Sequence, residues 1–314
     1  MAQPLGRRTV LAGTAGLAGL AGVSALVATA GARSPAPLAQ RVPPRPLPSP
    51  GRDAVSTTEW VASAARNRSV RLVLTAPVGV DRTTLPVCVA LHGLRGNAAF
   101  YADTGIRHAL GEAWSSGVPP FVVAALDGGD NYWHPFRPDD DPARMLLDEL
   151  PRWLLDRGVG RVGPDAPGVP SLVTGVSMGG AGALLYARER ASRGLPVRAA
   201  AVMSPGLFTD WRVASRRPFA GIDDWAANDP LRFFGELATT PTGVWVGDRD
   251  PFVDATRRFL ALARPAVGSV TPGKHDGTFY ASVLPAVLRF LGEHLATPPV
   301  ALPDPARSRP SPLG

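Results

Sequence analysis

Gly175-Val176-Ser177-Met178-Gly179-Gly180 follows the short apolar run Ser171-Leu172-Val173-Thr174 and opens an alanine-rich stretch, Ala181 to Arg190. A short apolar run bounded by glycine suits a buried strand, and the stretch after it suits a helix. A serine between glycines at a strand-to-helix turn is the pattern of a nucleophile elbow. The turn is so tight that a Cβ on either flank would meet the neighbouring strand or helix. It lifts the Ser177 hydroxyl out of the sheet and puts the Met178 amide at a helix N-terminus, where a developing oxyanion is favoured.

Outward from the elbow the same alternation repeats. Ser69 to Thr75, Leu85 to Leu91, Phe121 to Leu126, Leu172 to Val176, Ala199 to Met203 and Gly243 to Val246 read as strands, with Val267 to Val270 as a weaker one. Helical stretches fall between them: Ile106 to Ser115, Pro142 to Asp156, Met178 to Arg190, Trp225 to Phe234, Asp254 to Ala263 and Thr278 to Leu295. Asp141 before Pro142 is a good N-cap, Pro151 should kink or divide that helix, and Gly158 can stop it. Near-continuous apolar strands alternating with helices predict an α/β fold with a mainly parallel central sheet and helices on both faces. Sites in such sheets lie at the carboxyl ends of the strands.

The residues following each strand are polar or glycine: His92-Gly93-Leu94-Arg95-Gly96, Asp127 to His134, Ser177, Gly247-Asp248-Arg249-Asp250-Pro251-Phe252, and Thr271 to Gly277. Ser177, then Asp250, then His275 is the chain order of α/β-hydrolase triads. A serine hydroxyl needs a base, for which His275 is the candidate. The imidazole needs one tautomer and charge stabilisation, which Asp250 can supply. Asp248 competes for that place, and the spacing with the following Pro-Phe favours Asp250. The Met178 and Leu94 amides are the candidate oxyanion donors, each worth about 2.7–4 kcal/mol in the transition state. His108 and His294 sit in predicted helices and read as structural. His134 could line the site or hold its loop through Asp139, Asp140 or Asp141, three aspartates that otherwise read as a solvated turn and a helix cap.

The chain has 314 residues, 45% hydrophobic and 19% charged, enough for one large core. The net charge of +7 is nearly all arginine, Lys274 being the only lysine. The arginines are scattered without a basic helix or interleaved aromatics, which argues against a nucleic-acid partner. One cysteine, Cys88, excludes an intrachain disulfide and reads as a small buried strand residue. Five widely separated histidines give no metal-ligand spacing, so neither metal nor organic cofactor is expected. Gly6-Arg7-Arg8-Thr9-Val10-Leu11, a mildly apolar run to Ala30 and the A-x-A site Ala28-Thr29-Ala30 resemble a Tat-type signal peptide over residues 1–32. Seven prolines mark 33–52 as a linker, 53–296 is the folded domain, and 297–314 is a second proline-rich tail. Export is therefore expected, with no stable membrane span once the signal is cleaved.

Taken together, His92-Gly93-Leu94-Arg95-Gly96, the Tyr132-Trp133-His134 loop, Met145 to Leu150, Gly175 to Gly180, Asn228-Asp229-Pro230, Gly247 to Phe252 and Gly273-Lys274-His275-Asp276 resemble the esterase family of the α/β-hydrolase superfamily. That family includes secreted mycolyltransferases, feruloyl and acetyl xylan esterases and S-formylglutathione hydrolases, and the likeness runs from Val55 to Leu295. It implies the α/β-hydrolase fold, acyl-ester chemistry, an oxyanion hole of the Leu94 and Met178 amides, and substrate contact by Arg95. Gly93-Leu94-Arg95 and Ser177-Met178-Gly179 look most like the mycolyltransferase branch, while His92-Gly93 is as in ordinary esterases. His92, Trp133 and His134 are further candidates for substrate contact.

The resulting expectation is an exported serine hydrolase that cleaves a small-molecule or glycolipid ester through an acyl-enzyme. Acyl transfer to a sugar or glycolipid of the cell envelope would use the same residues. A non-catalytic envelope-binding protein on this scaffold would be marked by a missing Ser, His or Asp, and none is missing.

Overall fold

The pairing of two strands explains why the site forms where it does. In the computed structural model, which describes residues 53–162 and 166–295, β3 (Val87–Leu91) and β5 (Leu172–Val176) run parallel, with Leu91 opposite Gly175. Both strands are wholly buried. Their side chains alternate between two cores: Val87, Val89 and Leu91 enter one, Cys88 and Ala90 the other. Each buried Val or Leu contributes about 1.5–3 kcal/mol of burial, so a one-residue slip would be severely penalised.

Among the described residues the sheet has eight strands in the order β1-β2-β4-β3-β5-β6-β7-β8. β1 (Val55–Ser63), β2 (Arg68–Ala76) and β4 (Val122–Leu126) pair antiparallel. From β4 through β3, β5, β6 (Ala199–Met203), β7 (Thr242–Gly247) and β8 (Val267–Thr271) all pairs are parallel. After β3 the chain goes to one side to make β4, then returns to the other side to make β5. The carboxyl ends of β3 and β5 therefore flank a topological switch point, where a crevice opens. The alternating pattern predicted this mainly parallel sheet, and the topology is that of the α/β-hydrolase fold implied by the resemblance.

The expected strands all form. β1 was not among them: Ser56, Thr57, Thr58 and Glu59 hide it, and as an edge strand it buries only Val61, Ser63 and part of its neighbours. The predicted helix over Pro142 to Asp156 is divided. Asp141 caps Pro142–Arg144 by accepting from the Arg144 amide at 2.8 Å. Met145–Glu149 then winds as a π-helix before Leu150–Asp156 resumes the α-helix. Pro151 has no N–H for the carbonyl four residues back, and the wider spacing accommodates it. The stretch predicted as one helix over Trp225 to Phe234 is broken at Asp229, which caps Pro230–Phe233 after Ile222–Asn228 ends. Cys88 is free and buried, as read. Among the described residues no helix is long and apolar enough to cross a membrane. The signal, linker and tail assigned to 1–32, 33–52 and 297–314 lie outside the described residues.

Candidate active site

Ser177 sits at the end of β5 with φ 55° and ψ −120°, a conformation L-residues avoid. The elbow is possible because its flanks lack side chains. A Cβ on Gly175 would run into the Gly179 carbonyl, and one on Gly179 into that of Leu91. The helix Met178–Ser192 starts immediately after the serine. Met178 is its first residue, so its amide is one of the first-turn donors that the helix itself leaves without a partner.

Two further strand ends converge on Ser177. The turn after β7 places Asp250, fully buried at its side chain, with Oδ2 accepting from His275 Nδ1 at 2.7 Å. The Phe252 amide donates to Asp250 Oδ1 at 2.8 Å, so both carboxylate oxygens are engaged. Burial alone would push this carboxyl up; the hydrogen bonds from His275, Ser204 and the Phe252 amide, with the attraction of His275, outweigh it and hold the group below the usual carboxylate range. With Nδ1–H committed to the carboxylate, His275 Nε2 is free to accept, and it lies 2.9 Å from Ser177 Oγ. Phe252 and Tyr280 pack edge-on around the imidazole, at 5.1 and 5.7 Å between centroids. Asp248 is occupied elsewhere: its Oδ1 accepts from the Gly273 amide at 3.0 Å, bracing the loop that carries His275. Of the two aspartates, only Asp250 meets the imidazole.

The loop after β3 closes over the serine from the opposite side. A Cβ on Gly93 would stand 3.2 Å from Ser177 Cβ. In this loop the Arg95 amide donates to Asp130 Oδ1 at 2.5 Å and the Gly96 amide to the Gly93 carbonyl at 3.0 Å. Leu94 lines the cleft with Ser177 and His275; with its two successors engaged, its amide is the loop's candidate donor to an oxyanion. Such an arrangement can take a proton from a hydroxyl, hold the imidazolium that results, and present backbone dipoles to a new oxyanion.

Arg95 also lines the cleft. His92, Trp133 and His134, the other three candidates for substrate contact, do not: each is about 1% exposed and buried beneath the site. His92 bonds backbone at both nitrogens, Nδ1 to the Gly93 carbonyl at 2.7 Å and Nε2 from the Gly128 amide at 2.8 Å. That pattern selects a neutral ring protonated at Nδ1, and burial holds its pKa below the usual imidazole value. The Trp133 indole N–H donates to the His92 carbonyl at 3.2 Å. His134 stacks on Phe219 at 5.2 Å and lies 3.8 Å from Asp224, so it ties its loop to the segment after β6 and not to Asp139, Asp140 or Asp141. Asp140 is no solvated turn residue either: it is buried and pairs with Arg66 and Arg68. His108 and His294 lie away from the cleft, facing Asp53 and the Phe290 carbonyl.

The structure adds Tyr132, Leu207, Phe208 and Arg217 to the lining of a cleft of about 680 Å³. Tyr132 and Trp133 both adopt positive φ, 54° and 63°. The double left-handed turn aims Tyr132 at the cleft and drives Trp133 into the core. Of this loop, Tyr132 and not Trp133 lines the cleft. A Cβ on Gly206 would stand 3.2 Å from the Tyr132 hydroxyl and 3.3 Å from the Met178 amide nitrogen, which puts that hydroxyl close to the helix N-terminus.

Residues 63–258 match the model of the Esterase family, described as "Putative esterase". None of the curated proteins matches the chain. Among solved structures, it is similar to a ferulic acid esterase, at 17% identity and TM-score 0.63, over 78% of this chain and 100% of that one. An S-formylglutathione hydrolase from Agrobacterium tumefaciens is 16% identical with TM-score 0.62, over 79% and 98%. MPT51 (FbpC1) of Mycobacterium tuberculosis is 18% identical with TM-score 0.61, over 77% and 99%. At such identities the neighbours establish the shared fold, while the family match spans more than half the chain and includes the elbow and Asp250. The chain therefore belongs to the Esterase family, with an α/β-hydrolase fold and the chemistry of carboxylic-ester hydrolysis.

Proposed function

We propose that this protein is an exported serine hydrolase in which Ser177 attacks a carboxylic ester, His275 moves the proton and Asp250 orients His275. The observation that carries this reading is the unbroken hydrogen-bonded chain from Asp250 through His275 to Ser177, opening into the cleft. Ser177 Oγ bonds to the ester carbonyl carbon as its proton passes to His275 Nε2. The Leu94 and Met178 amides receive the oxyanion. The tetrahedral intermediate collapses as the imidazolium protonates the departing alcohol. Water, deprotonated by the same nitrogen, then releases the acid and restores the serine. No step calls on a metal or organic cofactor.

Ser177→Ala should lose labelling by a fluorophosphonate probe and lose hydrolysis of short p-nitrophenyl esters while keeping its circular-dichroism spectrum. Equal labelling of the variant would sink the assignment. Export rests on the twin arginine and its apolar run. Arg7→Lys with Arg8→Lys should retain the protein in the cytoplasm, as read by fractionation.

The cleft has the volume of a small-molecule site, and Leu94, Leu207, Phe208, Val213 and Phe252 supply it with apolar surface for an acyl chain. Acyl transfer to a sugar or glycolipid would use the same acyl-enzyme with a hydroxyl in place of water. Product analysis with and without a sugar acceptor separates the two.

A further inference from the structure

The cleft wall contributed by the segment after β6 carries a guanidinium that the acyl-transfer chemistry does not use. Arg217 lies two residues before Phe219, beyond the short helix Trp211–Ala214, and lines the cleft that contains Ser177 and His275. Its guanidinium sits over the face of Phe208, 5.8 Å from the ring centroid. Stacking of this kind engages the flat face and leaves the in-plane N–H groups directed outward. Its Nε is buried without a hydrogen-bond partner among the described residues. The buried Nε fixes the side chain in the wall, and a carboxylate or phosphate oxygen is the partner that best suits the guanidinium where it lines the cleft.

The acidic residues around the cleft are otherwise engaged. Asp210 accepts from the Arg212 amide at 2.9 Å and pairs with the Arg212 guanidinium at 2.6 Å. Asp254 pairs with Arg257 at 3.2 Å. Arg95 adds a second guanidinium to the lining, its backbone anchored on Asp130 while its side chain is exposed. Tyr132 on the facing loop is a phenol that burial pushes up to about 12 against the pull of Arg217, so it stays neutral and does not compensate the cation.

We propose that Arg217, assisted by Arg95, is a specificity-determining residue that selects esters carrying an anionic group, a carboxylate or phosphate remote from the scissile bond. This rests on the proposed role of Ser177 and adds a substrate class to it. A charge-assisted, partly desolvated contact of this kind favours the anionic ester over a neutral isostere by about tenfold or more in kcat/KM. The preference weakens with added salt, because Arg95 is solvent-exposed.

The test compares p-nitrophenyl hydrogen adipate with its neutral methyl ester, placing the charge on the acyl side. 3-Carboxyphenyl butyrate against phenyl butyrate places it on the alcohol side. A phosphate-bearing phenyl butyrate extends the second arm. The full-length exported protein is used, and each rate is normalised to the fraction of chains labelled by a fluorophosphonate, so that misfolded material does not count. The expected result is preference for the anionic ester in one arm, lost in Arg217→Gln, partly kept in Arg217→Lys, and turned toward a trimethylammonium ester in Arg217→Glu. A wild-type protein that labels and turns over both members of each pair equally overturns the inference and leaves the Ser177 assignment standing. A preference that persists in Arg217→Glu overturns it as well. A wild type that neither labels nor hydrolyses any ester removes both.

Discussion

Asp250 and Asp248 show how little separates two chemically identical residues until their partners are known. Asp250 faces His275, and Asp248 braces the Gly273 amide. Asp250→Asn should lower kcat by a factor of about 10³–10⁴ with the fold retained, because the amide misdirects the imidazole tautomer. Asp248→Asn keeps an acceptor oxygen and should change kcat by less than about threefold; steady-state kinetics of the two variants decide the assignment. His92 is buried behind the cleft loop that carries Leu94. It bonds the Gly93 carbonyl and the Gly128 amide, and so joins the loop that carries Leu94 to the loop that carries Tyr132 and Asp130. His92→Ala should reduce kcat more than it raises KM, since it loosens an oxyanion donor engaged in the transition state. A change confined to KM would place His92 among the substrate contacts after all. Ser177, Asp250 and His275 were legible because their residue types, order and loop positions all follow from the chemistry. His92, Trp133 and His134 were misplaced because nothing local says which side of a loop faces the cleft.

At the scale of elements, the elbow is held by the close approach of β3, β5 and the helix Met178–Ser192. Gly179 faces the Leu91 carbonyl, Gly180 faces Pro205, and Gly182 faces the Trp133 indole. The helix is buried along most of its length for this reason, and its small residues let it lie close to the sheet. Gly179→Ala places a methyl against backbone that has no freedom to retreat. The variant should lose fluorophosphonate labelling and melt several degrees lower, a cost of roughly 1–3 kcal/mol or more; an unchanged melting curve would contradict the packing described. The division of the helix at Met145–Glu149 was foreshadowed by Pro151, but its π form depends on neighbours. Glu149 there accepts from the Ser63 hydroxyl at 2.6 Å and the Ala65 amide at 2.8 Å, a long-range anchor that no local pattern announces.

For the molecule as a whole, the dependence of stability on pH follows from carboxylates with opposite shifts. Asp250 is held low, so its contribution is present at neutral pH and is lost as the pH falls through its folded value. Asp229 is the reverse: burial pushes it up to about 6, against the opposing Leu231 amide and the arginines Arg232 and Arg258. Against an unfolded value of about 3.9, its contribution is fully present below about pH 4 and is lost as the pH rises through about 6. Asp229→Asn keeps the oxygen that caps Leu231 and removes the cost of ionising a buried carboxyl. It should raise the melting temperature at pH 8 relative to the wild type, by the equivalent of about 1–2 kcal/mol, with the gap closing by pH 4. A gap independent of pH would assign the effect to packing. The amino-acid sequence by itself determined the alternation of strands and helices, the elbow, and the order of Ser177, Asp250 and His275, because apolar periodicity and glycine requirements are local. The tertiary structure alone decided that Tyr132 and not Trp133 faces the cleft, and that Arg217 enters it. Those outcomes depend on loop dihedrals and on the pairing of β3 with β5, which bring together residues far apart in the chain and leave no periodic trace in it.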